Sequence, residues 1–112
     1  MLVLIVDDEM EIREGLRANF PWREYGIDEA IAADDGDTAL AVARERNPDL
    51  IVTDIRMKRM SGLELLETLA SERPEGWKSI VVSGYDDFGM VRQAMKLGAM
   101  DYILKPIHTA EL

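Results

Sequence analysis

The sequence predicts an α/β domain in which an open, doubly wound parallel sheet carries helices on both faces. Short apolar runs that do not alternate with polar residues recur along the chain, as is typical of strands buried on both faces. Segments with apolar residues at helical spacing separate these runs, and this alternation favours a parallel sheet. We therefore predict the order βαβαβαβαβα in one domain, residues 1–112, with no second domain in this chain.

Five segments are predicted as strands. The first, LVLIV (Leu2–Val6), is too short for a comfortable helix and is rich in branched side chains. Together with Asp49–Thr53 and Ser79–Ser83 it is strongly apolar, which predicts three central strands. The weaker runs Glu29–Ala33 and Asp101–Lys105 are predicted nearer the edges.

Helices are predicted where apolar residues repeat every three or four positions. Ile12, Leu16 and Phe20 define the first helix, which Pro21 stops. The second covers Thr38–Arg46 and ends at Asn47-Pro48. The third contains Leu63, Leu65, Leu66, Leu69 and Ala70, the fourth contains Val91, Ala94, Met95 and Gly98, and a fifth begins near His108. Since the chain stops a few residues later, we expect a truncated last helix and a fragment of a longer protein.

Composition excludes several classes of function. The chain has no cysteine, so disulfides and thiolate metal sites are excluded and a reducing, cytoplasmic setting is expected. No apolar run approaches the roughly 20 residues of a membrane span. The formal charge of −9 repels phosphate backbones, so this chain alone is predicted not to bind nucleic acid.

Polar side chains follow four of the predicted strands. Asp7 and Asp8 follow the first, Asp54 the third, Ser83 the fourth and Lys105 the fifth. A single aspartate there is usually only a helix cap. Because the carboxyl ends of parallel strands share one edge, where ligands bind, we expect these groups to converge on a site. The next acid, Glu9, is interpreted as a solvated residue at the start of the first helix.

The residue types indicate phosphoryl chemistry. Clustered carboxylates without cysteine or a histidine pair suit a hard cation, most simply Mg²⁺, which shares ligation with phosphate oxygens. The chain lacks the glycine-rich loops that bind nucleoside triphosphates or dinucleotides. The remaining option is a carboxylate nucleophile that carries the phosphoryl group itself.

These residues resemble the response-regulator receiver domains of two-component signalling. The resemblance covers essentially the whole chain and rests on Asp7-Asp8, TDIRM, VVSGYDDF and YILKPI, in this order. It implies a flavodoxin-like sheet of order 2-1-3-4-5, a non-enzymatic role, and phosphoryl transfer from a sensor histidine kinase to Asp54. It further implies that phosphorylation promotes homodimerisation and switches an output.

The resemblance also assigns roles to individual residues. Asp8, Asp54 and the backbone carbonyl of Arg56 would bind Mg²⁺ directly, and Asp7 would act through water. Ser83 would hydrogen-bond the phosphoryl group, Lys105 would pair with it, Tyr102 would change rotamer on activation, and the peptide bond preceding Pro106 would be cis. For Tyr102, ordinary packing on an edge strand is the alternative interpretation.

A finer similarity is to receivers joined to AraC-type helix-turn-helix domains, which implies transcription regulation. It rests on FPWREYGI, SGYDDF and GAMDYILKPI, although Trp22 and Tyr25 can also be simple packing aromatics. The loop MKRMSG (Met57–Gly62) departs from the family pattern, because Lys58 replaces a proline and Arg59 adds a cation. Both are interpreted as solvated, and the retained Gly62 predicts that the next helix still begins there.

Two other functions stay open. A phosphatase of the haloacid-dehalogenase type also uses an aspartate nucleophile and Mg²⁺, but it would need a D-x-D pair where this chain has adjacent acids. A stand-alone phosphorelay or docking receiver is the other. His108, the only histidine, is interpreted as a surface residue.

Overall fold

The computed structural model describes residues 1–57, 59–84 and 88–104. Five parallel strands form one sheet of order β2-β1-β3-β4-β5, so the predicted fold and strand order are confirmed. The strands are β1 (Leu2–Val6), β2 (Glu29–Ala33), β3 (Leu50–Asp54), β4 (Lys78–Ser83) and β5 (Asp101–Leu104), and the helices are α1 (Met10–Asn19), α2 (Gly36–Arg46), α3 (Gly62–Glu72) and α4 (Phe88–Lys96). The predicted fifth helix lies outside the described residues.

Apolar side chains cover both faces of the sheet. On one face α2, α3 and α4 pack against β1, β3 and β4, through residues such as Leu40, Leu66, Ala94 and Val81. On the other face α1 and the segment after it contribute Leu16, Phe20, Trp22 and Ile27, which pack on Val3, Ile5, Val52 and Val82. All five residues of β1 are buried, which explains why this strand shows no polar alternation.

Several boundaries differ slightly from the predicted ones: β3 begins at Leu50 and not at Asp49, β4 begins at Lys78 and not at Ser79, and α4 ends before Gly98. β3 ends at Asp54 rather than one residue before it, because Asp54 still pairs with Val82 of β4. α2 begins at Gly36, two residues before the predicted start. Its N-cap is Asp35, whose side chain accepts a 2.7 Å hydrogen bond from the backbone N–H of Thr38.

The aromatic segment after α1 is part of the core. Trp22 begins a 3₁₀ turn and is buried, and its indole Nε1 donates a 2.9 Å hydrogen bond to the backbone oxygen of Leu16. The Phe20 ring lies 4.5 Å from that of Trp22 and stacks with that of Tyr25 at 5.4 Å, between ring centroids. Packing therefore accounts for Trp22, whereas Tyr25 is largely exposed.

Among the described helices, none has the length and apolar character that crossing a bilayer requires.

Candidate functional site

Three neighbouring strands bring Asp7, Asp54 and Ser83 to the same edge of the sheet. β1 and β3 stay in register up to the pair of Val6 with Thr53, so the next residues are Asp7 and Asp54. Ser83 ends β4, one residue beyond the pairing partner of Asp54. The strand register therefore brings these three residues to the carboxyl edge of the sheet, as expected.

The three side chains are withdrawn from solvent. Asp7 is 2% exposed, Asp54 4% and Ser83 0%, while Asp8 is exposed. Removing a carboxylate from water is costly unless it is paired or hydrogen-bonded. Two buried carboxylates at the ends of neighbouring strands therefore depend on such partners, an arrangement typical of a binding or reaction site rather than of helix capping.

Local contacts hold the turn after β1. The carboxylate Oδ1 of Asp7 accepts a 2.8 Å hydrogen bond from the backbone N–H of Glu9. The Arg13 guanidinium donates a 2.9 Å hydrogen bond to the backbone oxygen of Asp7. Because Arg13 lies on α1, this bond ties the first helix to the turn that presents the acids.

The structure places one acid nearer to the site than its sequence suggests. Oxygen atoms of Asp7, Asp8 and Glu9 all lie within 4.8 Å of one another, a spacing that could hold a metal ion. Glu9 is exposed and is the N-cap of α1, in agreement with its interpretation as a solvated residue at the start of the first helix. Three consecutive acids were the available signal, but a sequence does not show on which side of a turn the third carboxylate lies.

The Ser83 hydroxyl has no hydrogen-bond partner among the described residues, although it is completely buried. A buried hydroxyl left without a partner costs about 1–3 kcal/mol. Such a group can donate a hydrogen bond to a bound ligand or to water. An anion carried at Asp54 would meet this need.

Gly62 keeps the chain close to Asp54 after the intervening loop. A Cβ at Gly62 would lie 2.1 Å from the backbone oxygen of Asp54, so no other residue fits without movement. The Gly62 N–H donates a 2.7 Å hydrogen bond to the backbone oxygen of Ile55. Ser61 caps α3 by accepting a bond from the backbone N–H of Glu64, so the prediction that this helix begins at Gly62 is confirmed.

A cleft of about 490 Å³ opens between α4 and β5, and Ser83 and Tyr102 both line it. Tyr102 is 45% exposed, and Phe88, Val91 and Met95 of α4 complete much of the lining. The cleft therefore connects the buried hydroxyl with the aromatic ring on the edge strand.

Some predicted site residues are exposed or lie outside the part of the chain that the structure describes. Arg56 is exposed, two residues after Asp54. Lys58, Lys105, Pro106 and His108 lie outside the described residues, so their predicted roles stay predictions.

Comparison with known proteins gives one consistent family. A family model described as "Response regulator receiver domain" matches residues 3–112. A Staphylococcus epidermidis protein named "Uncharacterized response regulatory protein" is 38% identical over 110 residues, which cover 98% of this chain and 43% of the relative. The transcriptional regulatory protein HptR of Staphylococcus aureus is 39% identical over 110 residues, 98% of this chain and 42% of HptR. The chain therefore spans less than half the length of these relatives.

Solved structures agree with this match. The REC domain of AraT, a response regulator from Geobacillus stearothermophilus, superposes with a TM-score of 0.88 at 37% identity, covering 98% of this chain and 84% of that one. A two component transcriptional regulator AraC from Clostridium phytofermentans gives a TM-score of 0.90 at 39% identity, covering 99% and 85%. Both likenesses extend over nearly the entire chain.

Proposed function

This chain belongs to the response regulator receiver domain family, and we propose that it accepts a phosphoryl group on Asp54 from a sensor histidine kinase and thereby switches an output. The observation that carries this proposal is the buried Ser83 hydroxyl, for which residues 1–57, 59–84 and 88–104 provide no hydrogen-bond partner, on the strand next to buried Asp54. A phosphoryl group on Asp54 supplies the acceptor that this hydroxyl lacks.

The proposed transfer is a nucleophilic displacement at phosphorus. A carboxylate oxygen of Asp54 forms the new O–P bond while the N–P bond of the kinase phosphohistidine breaks, and the imidazole leaves and takes up a proton. The acquired group carries about −1.5 to −2 charge. At about 4 Å and an effective dielectric near 20, each like-charge pair with a neighbouring carboxylate costs on the order of 4 kcal/mol. Ser83 and, by sequence position, Lys105 are proposed to offset part of this cost.

The donors at the site fit Mg²⁺. The ligands that we propose are oxygen atoms only: the carboxylates of Asp7, Asp8 and Asp54 and the backbone carbonyl of Arg56. Of these, Asp7 and Asp8 have oxygen atoms within 4.8 Å of each other and of Glu9. When bound, Mg²⁺ would neutralise charge and share ligation with phosphoryl oxygens. The residues themselves position the nucleophile and keep it away from bulk water, because Asp54 lies at a buried strand end.

Acetyl phosphate provides a direct test. Incubation of the chain with acetyl phosphate and Mg²⁺ should add one phosphoryl group, detected by intact mass spectrometry. Asp54→Ala should take up none, while Glu45→Ala, an exposed acid on α2, should label like wild type. Labelling of Asp54→Ala at the wild-type level would refute the assignment. Rapid multiple turnover of small phosphoesters would instead favour a phosphatase of the haloacid-dehalogenase type.

For the output, we propose transcription regulation through a DNA-binding domain of the AraC type in a longer protein. Relatives are named as transcriptional regulators, and the chain covers only 42% of HptR. The chain itself, with a formal charge of −9, is proposed to act in the cytoplasm and not to contact DNA. A mobility-shift assay should show DNA binding by the longer protein only. Absence of DNA binding by the longer protein would point instead to a stand-alone phosphorelay or docking receiver.

We also propose that phosphorylation promotes a homodimer through the face formed by α4 and β5. Large apolar side chains are exposed there, namely Phe88, Met95, Tyr102 and Leu104. Sedimentation velocity should show a larger species only in the presence of beryllofluoride, an analogue of the phosphoryl group. Tyr102→Ala should weaken this association. A monomer under both conditions contradicts this proposal.

A further inference from the structure

The loop between β3 and α3, whose described residues are 55–57 and 59–61, is called the acceptor loop here because it follows Asp54 directly. Its outer side touches the beginning of α2. A Cβ placed on Gly36 would lie 2.7 Å from Cβ of Met60, 2.9 Å from its Cγ and 2.9 Å from its backbone oxygen. Gly36 is buried, and Met60 packs against the main apolar core. The absence of a side chain at Gly36 thus allows the acceptor loop to approach α2 this closely.

Charge also favours the proximity of the same two segments. Arg59, the neighbour of Met60, interacts electrostatically with Asp35, the N-cap of α2. Arg59 also has φ of 67°, in the left-handed region that residues with a side chain seldom adopt. A backbone conformation of this kind persists only where its surroundings hold it. Packing at Met60 therefore acts on a stretch of the loop whose backbone is already restrained, and the exposed Arg59 adds only a weak attraction.

The inner side of the acceptor loop is restrained as well. Gly62 approaches the backbone oxygen of Asp54 so closely that a Cβ there would lie at 2.1 Å. The loop is therefore held between β3 on one side and the amino end of α2 on the other, so a displacement imposed at Gly36 cannot be absorbed freely.

We propose that Gly36, at the amino end of α2, is a positioning residue for the acceptor loop and thereby sets how readily Asp54 is phosphorylated in the presence of Mg²⁺. The inference rests on the proposed function, in which Asp54 accepts the phosphoryl group and the Arg56 carbonyl of the same loop is a Mg²⁺ ligand. Gly36 contacts neither the phosphoryl group nor the ion. It acts through Met60, because the backbone oxygen of Met60 cannot move away without moving the loop.

The variant Gly36→Ala tests this with intact chains, acetyl phosphate and a Mg²⁺ titration. The added methyl group should displace the acceptor loop. We expect the half-saturating Mg²⁺ concentration to rise and phosphorylation to slow by about tenfold. This effect is smaller than the loss on the order of a hundredfold that a misplacement of about 1 Å can cause. Gly15→Ala on α1 is the matched control, because a Cβ there meets nothing within 4 Å. Circular dichroism at the assay temperature establishes that every variant is folded. If Gly36 has a purely structural role, folded Gly36→Ala should keep the wild-type Mg²⁺ dependence and the wild-type phosphorylation rate.

Wild-type Mg²⁺ dependence and rate in folded Gly36→Ala would overturn the inference and leave the proposed function intact. If Gly36→Ala does not fold, Met60→Ala decides, because it removes the packing side chain and leaves α2 unchanged. A shifted Mg²⁺ dependence in Met60→Ala supports the inference, and a wild-type dependence overturns it. Absence of labelling in the wild type would overturn the proposed function and this inference together.

Discussion

Replacing Ser83 by alanine should stabilise the unphosphorylated protein and weaken its response to a phosphoryl analogue. Few substitutions of a polar core residue are expected to have opposite effects in two states of one protein. The expectation follows from one observation: the hydroxyl is fully buried and has no hydrogen-bond partner among the described residues.

The expected change in stability differs between the unphosphorylated protein and the analogue-bound protein. A buried hydroxyl without a partner costs about 1–3 kcal/mol, which Ser83→Ala recovers. The space left by one oxygen takes back a few tenths of a kcal/mol, at about 24 cal/mol per Å³ of cavity. The net result is a stabilisation of about 1 kcal/mol, or roughly 4 °C in thermal midpoint for a domain near 100 residues. In the analogue-bound state the variant loses a hydrogen bond to a charged group, worth about 1.5–3 kcal/mol.

Urea denaturation in Mg²⁺, with and without beryllofluoride, measures both quantities. Thr53→Val is the matched control, because Thr53 is also fully buried but its Oγ1 donates a 3.0 Å hydrogen bond to the backbone oxygen of Asp54. Removing that satisfied hydroxyl should cost about 1 kcal/mol in the free energy of unfolding. The two variants should therefore shift stability in opposite directions when no analogue is present.

Destabilisation of the unphosphorylated protein by Ser83→Ala as large as that by Thr53→Val would refute the reasoning, because the hydroxyl would then be satisfied. An analogue-induced stabilisation equal to wild type would separately show that Ser83 does not contact the phosphoryl group.

Three further outcomes are expected. Mg²⁺ should stabilise the fold by about 2.7 kcal/mol at a hundredfold excess over its dissociation constant and barely affect Asp8→Ala in a thermal melt; equal shifts would place the ion elsewhere. Gly62→Ala, whose methyl would meet the backbone of β3, should cost about 1–3 kcal/mol in urea denaturation, whereas Gly89→Ala in the open space of α4 should gain about 0.5–1 kcal/mol. The hydrogen bond from the Thr38 backbone holds the pKa of Asp35 below its ordinary value, so Asp35→Ala should lower stability at pH 7. That loss should disappear as the pH falls below about 3.9, since wild type then loses the contribution of the ionised carboxylate; a difference independent of pH would contradict this.

The fold was predictable because its strongest signals are local. β1 is buried throughout and therefore reads as an uninterrupted apolar run, while Pro21 and Asn47-Pro48 mark helix ends by their backbone restrictions. The end of β3 was missed because a tertiary contact extends this element, whereas the start of α2 was missed although its cap is local. Asp54 belongs to β3 because Val82 pairs with it, and no feature of residues 49–54 indicates that partner.

The candidate site was predictable in its strand-end residues and not in their surroundings. Asp7, Asp54 and Ser83 follow from strand order alone, once the sheet is parallel. The contact between Gly36 and Met60 does not, because each residue looks ordinary in its own segment: a helix-start glycine and a loop methionine. Their proximity depends on how α2 and α3 pack side by side, which neither local sequence encodes.

Features that lower the stability of this fold lie mainly near the site of the proposed phosphoryl transfer. Among the described residues, the positive φ values outside glycine are those of Asn47, at a helix C-cap where asparagine is favourable, and of Arg59, in the acceptor loop. The buried Ser83 hydroxyl, which has no hydrogen-bond partner among the described residues, lies at the carboxyl edge of the sheet. The buried carboxylates of Asp7 and Asp54 lie at this edge as well. The strained backbone of Arg59 and the buried Ser83 hydroxyl each lower stability, so packing of the apolar core must offset them. Their common location is explained if ligands complete the site, because Mg²⁺ would offset the repulsion between carboxylates and a phosphoryl group would accept a hydrogen bond from Ser83, so that binding is coupled to conformation.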